Sequence, residues 1–362
     1  MKIKGKSKDN FEYFRDILPK SNKQRLKFID LIVRACVNCL DLNYRKLANA
    51  MNTTVSSSAN YRRIQRFMAS YSICQRVLAR WIVSRISSDP DSRLTLSMDR
   101  TNWKFGKANI NYLVLAVCYK GMAIPLFWTL LDKQGNSSTE ERINIVNQFI
   151  STFGAYRIDY LLADREFIGK HWQSWLIQQQ IPFYIRIRND AKVKHKGREI
   201  KASKLFSRQE VGTELHKTGI VEVYGTEVNI SGKKILGRKG ETDYVIVISY
   251  FESRQSIKKY SMRWQIEHLF RALKSSGFNM ESTHVTDPKR LETILSLITI
   301  AFFWAYKTGE WLLNKGIEKI RIKKHGRREK SIFRIGLDYI NRIVSTDYKP
   351  NRQSIYHVLS CT

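Results

Sequence analysis

The sequence predicts an α/β protein in which a mixed-sheet core with a β-rich insertion is flanked by helices on both sides. Three observations carry this. Apolar residues recur at helical spacing up to about residue 88 and again from about residue 258. Between residues 93 and 188, strand-like apolar runs are interleaved with helical ones. Seven glycines then break that rhythm within residues 189–243. The chain has 362 residues, 43% apolar and 12% aromatic, which is ample for packed cores and excludes a disordered or low-complexity protein.

The first 88 residues are helical. Leu26, Ile29, Ile32 and Val33 share one helix face. In DLNYRKLANAMNTTVSSSANYRRIQRFMASY, a periodic segment from Tyr44 to Met51, a Ser/Thr/Asn break and a second segment from Tyr61 to Tyr71 have the rhythm of a helix-turn-helix. The break is longer than a tight turn. Arg62, Arg63 and Arg66 make the second segment a candidate recognition helix, so residues 1–88 read as a helical DNA-binding domain. A helical bundle with a solvated basic face fits the same residues.

At Asp89-Pro90 the pattern changes. RLTLSMDRTNW alternates, with Leu94, Leu96 and Met98 on one face and Thr95, Ser97 and Asp99 on the other, as in a half-buried strand. Tyr112–Tyr119 and Ile124–Leu131 are two more strands joined at Lys120-Gly121. A helix over Thr139–Phe153, capped by Ser138 or Thr139, precedes the apolar strand IDYLLAD. A helix near Gly169–Gln180 and the strand Phe183–Arg188 follow. The core is thus placed at residues 89–188 and 244–290, the latter opening with the strand Tyr244–Phe251. The β-rich insertion at 189–243 contains a hairpin turning at Gly225-Thr226, and 291–362 form a helical C-terminal segment.

Sixty-three Lys and Arg against 32 Asp and Glu leave a net charge of +31, which calls for a polyanionic partner. A membrane is disfavoured, because the longest apolar run, Leu295–Tyr306, is short of the ~20 residues of a spanning helix. The basic N-terminus lacks an apolar segment behind it, so no signal peptide is expected. Five scattered cysteines (Cys36, Cys39, Cys74, Cys118 and Cys361) suit a reducing cytoplasm, and Cys36 and Cys39 sit in LIVRACVNCL as buried thiols rather than zinc ligands. A bacterial cytoplasmic, nucleoid-associated location is the expectation.

The chemistry gathers on YSMRWQIEHLFRALK. At about 100° per residue, Tyr260, Arg263, Glu267, Arg271 and Lys274 share a stripe beside the apolar stripe of Met262, Ile266, Leu269, Phe270 and Leu273. A solvated salt-bridge face has the same spacing. A single carboxylate among three cations, bordering the buried face, suits an anion-handling site. Asp99 and Asp164 are expected at strand ends, where α/β sheets place their sites. Asp99, Asp164 and Glu267 together offer hard oxygen ligands for Mg²⁺, with Mn²⁺ as a substitute. Two such ions ~4 Å apart activate water and stabilise the leaving oxygen of a phosphodiester. The sequence has no G-x-S-x-G, no Walker motif and no plausible Cys–His pair.

The spacing Y-x2-R-x3-E-x6-K, met by Tyr260, Arg263, Glu267 and Lys274, resembles the signature of bacterial DDE transposases of the insertion sequence four family. MDRTNW around Asp99 and ADREF around Asp164 look like that family's other two acidic motifs, and the resemblance covers roughly residues 25 to 340. It implies a ribonuclease-H-like core and cut-and-paste transposition, with hairpin formation at the cleaved ends. Asp99, Asp164 and Glu267 would be the metal-binding triad, and Tyr260, Arg263 and Lys274 would grip phosphates, with Arg271 on the same stripe. The implied partners are double-stranded DNA, as terminal inverted repeats and as target, and a second copy of the chain in a homodimer.

One departure concerns base stacking. The family's familiar Trp in the insertion is missing, since no Trp lies between Trp175 and Trp264. Tyr224, Phe206 or Tyr244 could take that role, or be core aromatics. His171 reads as an ordinary surface or core histidine, and Arg321–Lys330 as a phosphate-contacting or solvated loop. Trp304 and Trp311 would cap the core, with a dimer contact left open. Two other classes compete: a catalytically silent DNA-binding protein on the same fold, and a cellular ribonuclease-H-like nuclease. The acidic triad argues against the first and the N-terminal arginine cluster against the second.

Overall fold

The computed structural model describes residues 12–237, 240–251, 254–324, 326 and 328–345. Cys361 and the tail beyond residue 345 lie outside them, as do His325 and Arg327 of the basic run. Five helices come first: α1 (Glu12–Ile17), α2 (Lys23–Cys39), α3 (Tyr44–Ala50), α4 (Ser57–Ser70) and α5 (Gln75–Ile86). Then follow β1 (Leu94–Phe105), β2 (Ala108–Tyr119), β3 (Met122–Leu130), α6 (Thr139–Phe153), β4 (Ile158–Ala163), α7 (Lys170–Gln178) and β5 (Phe183–Ile187). The chain continues through β6 (Lys192–His195), β7 (Arg198–Lys201), β8 (Glu214–Val223), β9 (Thr226–Leu236) and β10 (Thr242–Tyr250). It closes with α8 (Ser256–Ser261), α9 (Trp264–Leu273), α10 (Pro288–Asn314) and α11 (Ile332–Ser345).

Two compact units result. One comprises residues 89–102 and 111–269, the other residues 1–88, 103–110 and 270–362. In the first, ten strands form one mixed sheet in the order β3-β2-β1-β4-β5-β10-β9-β8-β6-β7. β4 runs parallel to both β1 and β5, and β10 is antiparallel to β5. Residues 189–243, set apart in the sequence as an insertion, extend this same sheet through β9. The hairpin turns at Tyr224-Gly225, one residue before the expected position. Val223 faces Thr226, and both turn residues have positive φ, which Gly225 adopts freely.

Local chemistry explains the boundaries. Ser138 is the N-cap of α6 in a full capping box: its hydroxyl accepts from the Glu141 amide at 3.2 Å, and Glu141 accepts from the Ser138 amide at 2.5 Å. Leu96, Met98, Leu113, Leu115, Ile145 and Phe149 are among the side chains excluded from water. Gly232 gives the Phe206 ring room that a Cβ would fill, and Phe206 is fully buried. It is therefore a core aromatic and not a stacking platform. Tyr224 and Tyr244 are half-buried.

The second unit is helical. α3 and α4 are joined by residues 51–56, with Asn43 and Ser56 as N-caps. α10 is 27 residues long and, by length and composition, apolar enough to cross a membrane, which corrects the short run read from the sequence. Its apolar window is 89% buried, so its hydrophobicity is explained by packing. Trp304 is buried within it and Phe303 meets Trp81 edge-on at 4.9 Å, so this helix forms the centre of the helical unit rather than a cap. α11 crosses α10 where Gly309 and Gly336 meet; a Cβ on either would strike a backbone carbonyl of the other helix.

Polar ties hold the unit together. The buried Asp41 carboxylate accepts from Lys46 at 2.6 Å, Ser282 at 2.5 Å, the Asn43 amide at 2.8 Å and Asn279 at 3.2 Å. Asn341 of α11 donates to the carbonyls of Val37 and Asn38 at 2.7 and 2.9 Å, satisfying the C-terminal end of α2. Cys36, Cys39, Cys74 and Cys118 are free thiols. Burial and the neighbouring Cys39 raise Cys36, as expected of a core thiol, whereas Cys39 is only half-buried, its thiol pushed up to about 11 by that burial.

Candidate active site at the ends of two parallel strands

β1 and β4 pair in parallel with Met98 opposite Ala163. The next residue on each strand is an aspartate, so Asp99 and Asp164 lie side by side. Here β4 stops, whereas β1 continues past Asp99 to Phe105 rather than ending at the acid as expected. The Asp164 carboxylate accepts from the Glu166 amide at 2.9 Å, closing a turn that aims the following loop. The Asp99 carboxylate accepts from the Arg100 amide at 2.7 Å.

The third acid arrives on α9. The long continuous helix expected from Lys258 is in fact broken at Met262 and Arg263, between α8 and α9. The amides of Met262, Arg263, Gln265 and Ile266 bond three residues back, so the turn is tighter than an α-helix. The stripe survives across this break for three residues. Arg263 is 6% exposed. Its guanidinium donates to Asp99 at 3.1 Å, to Glu267 at 2.6 Å and to the Tyr260 hydroxyl at 3.0 Å. Arg263 therefore bridges Asp99 and Glu267, and Tyr260, itself buried, holds the bridge. Arg271 and Lys274 belong to the helical unit. Arg271 is exposed, and Lys274 pairs with Glu281 at 3.0 Å and lies over the Trp103 ring at 5.7 Å.

Electrostatics single out Asp99. Burial pushes its carboxyl up to about 7, with Arg263 opposing and the Asp164 charge reinforcing the rise. The adjacent charges of Asp99 and Asp164 oppose one another, and Arg263 is the cation that favours the ionised form of Asp99. The hard oxygens of the two aspartates suit a divalent cation in kind. Among the described residues no group of three His, Cys, Asp or Glu stands close enough to hold a metal ion, and Arg263 supplies the positive charge between Asp99 and Glu267.

Two supporting arginines escaped the sequence reading. Arg100 grips Glu166 through two bonds of 2.5 and 2.8 Å, reaches Asn111 and Asn136 at 3.1 Å, and donates to the Gly135 carbonyl. Arg142 is buried and donates to Ser137 and to the carbonyls of Glu166 and Ile168, with its guanidinium 5.1 Å from the Phe167 ring. Together they clamp the loop after Asp164. Arg100 and Glu166 stand inside the two acidic motifs, and parallel pairing of those motifs was the signal that could have joined them.

In the helical unit, Arg62 and Arg66 are exposed on α4. Arg63 is half-buried, donating to Asn60 at 3.0 Å and lying 4.8 Å from the Phe28 ring. His171 is exposed.

A family model described as a transposase DDE domain matches residues 91–304. No curated protein matches the chain. Among solved structures, a Marinitoga piezophila Argonaute in complex with 5′ OH guide RNA and target DNA is 10% identical with a TM-score of 0.23. That similarity covers 66% of this chain and 34% of the Argonaute, so the chain spans about a third of that structure's length. A score this low defines no shared fold.

Proposed function

Because the chain belongs to the transposase DDE domain family, whose model spans more than half of it, we propose that it is a cut-and-paste DNA transposase of the insertion sequence four type. In this reading it binds the terminal inverted repeats of its own element, cleaves the ends through a hairpin and joins them to target DNA, working as a homodimer. The observation that carries the reading is the pairing of Asp99 and Asp164 on adjacent parallel strands, with Glu267 tied to Asp99 through Arg263. A net charge of +31 suits the polyanionic substrate.

Asp99 and Asp164 are the adjacent acids that would hold Mg²⁺ or Mn²⁺, with Glu267 reaching Asp99 through Arg263; such an ion would supply the charge that activates a hydroxyl and stabilises a leaving oxygen. The chain's own groups position the DNA. Arg263 has a planar fork suited to phosphate, and its present acceptors are carboxylates, so a scissile phosphate can take their place. Tyr260 fixes the guanidinium, while Arg100 and Arg142 hold the Asp164 loop so that the acid pair keeps its spacing. Arg271 and Lys274 add phosphate contacts, and Arg62, Arg63 and Arg66 contact the terminal repeat.

The test is incubation of the full chain with a duplex bearing candidate terminal repeats, with and without Mg²⁺. Hairpin products on a denaturing gel, dependent on Mg²⁺, are expected. Tight, specific binding with no strand scission under any divalent metal would favour the second reading, a silent DNA-binding protein on this fold. The Arg263 bridge, which fills the space between two of the acids, is the observation on that side.

A further inference from the structure

The opposite end of the sheet carries a second concavity. Where β4 and β5 begin and β10 ends, a cavity of about 580 Å³ opens, walled by Tyr156, Tyr160, Tyr184 and Phe251 together with Arg93 and Lys259. It lies at the start of β4 and the acid pair beyond its end, so roughly 20 Å of strand separates them.

Two of these rings are held out toward solvent. Tyr156 is 62% exposed and Phe251 58%. Phe251 has φ +77°, a left-handed backbone that a bulky residue rarely adopts, and its ring packs on Tyr250 at 4.3 Å at the end of β10. Tyr156 lies against Gly154, where any side chain would displace it. The cation is placed as firmly. Lys259 donates to the Tyr184 hydroxyl at 3.0 Å and sits 5.5 and 5.3 Å from the centres of the Tyr160 and Tyr184 rings, which meet edge-on. Arg93 adds an exposed positive charge, and Asp159 is the single acid on the wall.

Exposed aromatic faces beside fixed cations match one ligand chemistry well: a planar base joined to a phosphate. We propose that this cavity binds an unstacked nucleotide within a single-stranded stretch of DNA, the base against Tyr156 and Phe251 and the phosphate against Lys259 and Arg93. The inference rests on the DNA-processing reading above and adds a site remote from the acids. α8 connects the two places, since Lys259 faces the cavity and the next residue, Tyr260, receives Arg263.

The experiment measures binding of the full chain to three fluorescent probes: a short oligothymidine, an abasic strand of equal length, and a terminal-repeat duplex. Tyr156→Ala and Phe251→Gly change exposed side chains and should each weaken oligothymidine binding roughly tenfold while leaving the abasic strand unaffected. Lys259→Gln should weaken both single strands and lower the salt dependence. Equal wild-type affinity for oligothymidine and abasic strand, or ring variants that bind both as wild type does, would overturn the proposal. If duplex binding persists in that case, only the cavity's role falls; if no probe binds at all, the DNA reading falls with it.

Discussion

Arg100 and Arg263 both serve the acids at the ends of β1 and β4, yet they keep different company. Arg100 is tied to Glu166, Asn136 and the Gly135 carbonyl on the loops around the site, and to Asn111 on β2. The Arg263 guanidinium is tied to the candidate site side chains Asp99, Glu267 and Tyr260, and lies over the Trp264 ring at 5.3 Å. An arginine whose acceptors include main chain and amides is part of the frame, because its partners cannot leave. One whose anionic acceptors are carboxylates can exchange them for a phosphate. In the reading proposed above, the first serves stability and the second chemistry.

The largest effect that can sharpen this contrast comes from the acids themselves. Asp99→Asn and Asp164→Asn should each lower hairpin formation by on the order of 10³-fold while duplex binding persists, read by gel and anisotropy on the same preparations. Arg263→Gln comes next, with a loss of roughly 10²-fold in cleavage. Removing that guanidinium also removes the competitor for the acids, so Mg²⁺ should raise the variant's melting temperature more than the wild type's. No difference in the Mg²⁺ shift would mean that Arg263 does not stand in for the metal's charge.

Arg100→Gln should behave in the opposite way. It strands Glu166 and should cost about 3 kcal/mol of stability, read by denaturant titration, with cleavage reduced only as far as the loop loosens. A variant of normal stability that is catalytically dead would break the contrast. The smallest effect lies in the helical unit. Burial raises the Asp41 carboxyl, but hydrogen bonds from Lys46, Ser282 and the Asn43 amide outweigh it and hold the group below the usual range. Its contribution is present above the unfolded value of ~3.9 and lost as pH falls through the lower folded one. Asp41→Asn should therefore flatten the acid limb of the stability curve and change little in its shape near neutrality.

What the sequence made legible follows from the range of each interaction. β1 from Leu94 to Met98, α6 and β4 were visible because their periods and caps are local. The position of Asp164 followed from the end of its strand, whereas Asp99 was legible by parity alone, since β1 runs on to Phe105. The Arg263 bridge was hidden for two reasons: its partner Asp99 is 164 residues away, and the helical wheel assumed an unbroken helix through Met262 and Arg263. The union of residues 189–243 with the main sheet depends on β9 meeting β10, and nothing local to Gly232 or Thr242 encodes that pairing. α10 was underestimated because its polar residues Ser296, Thr299 and Thr308 are buried as well, so the apolar stripe carries no clean period.

The two hydrogen bonds from Asn341 have a temporal consequence. They close α2 from a residue 304 positions later in the chain, and α10 fills the interior against which α2, α4 and α5 pack. A nascent chain that has exposed only its first five helices lacks both. The C-terminal end of α2 therefore lacks these two partners until residue 341 has left the ribosome, so this unit completes its packing late in synthesis.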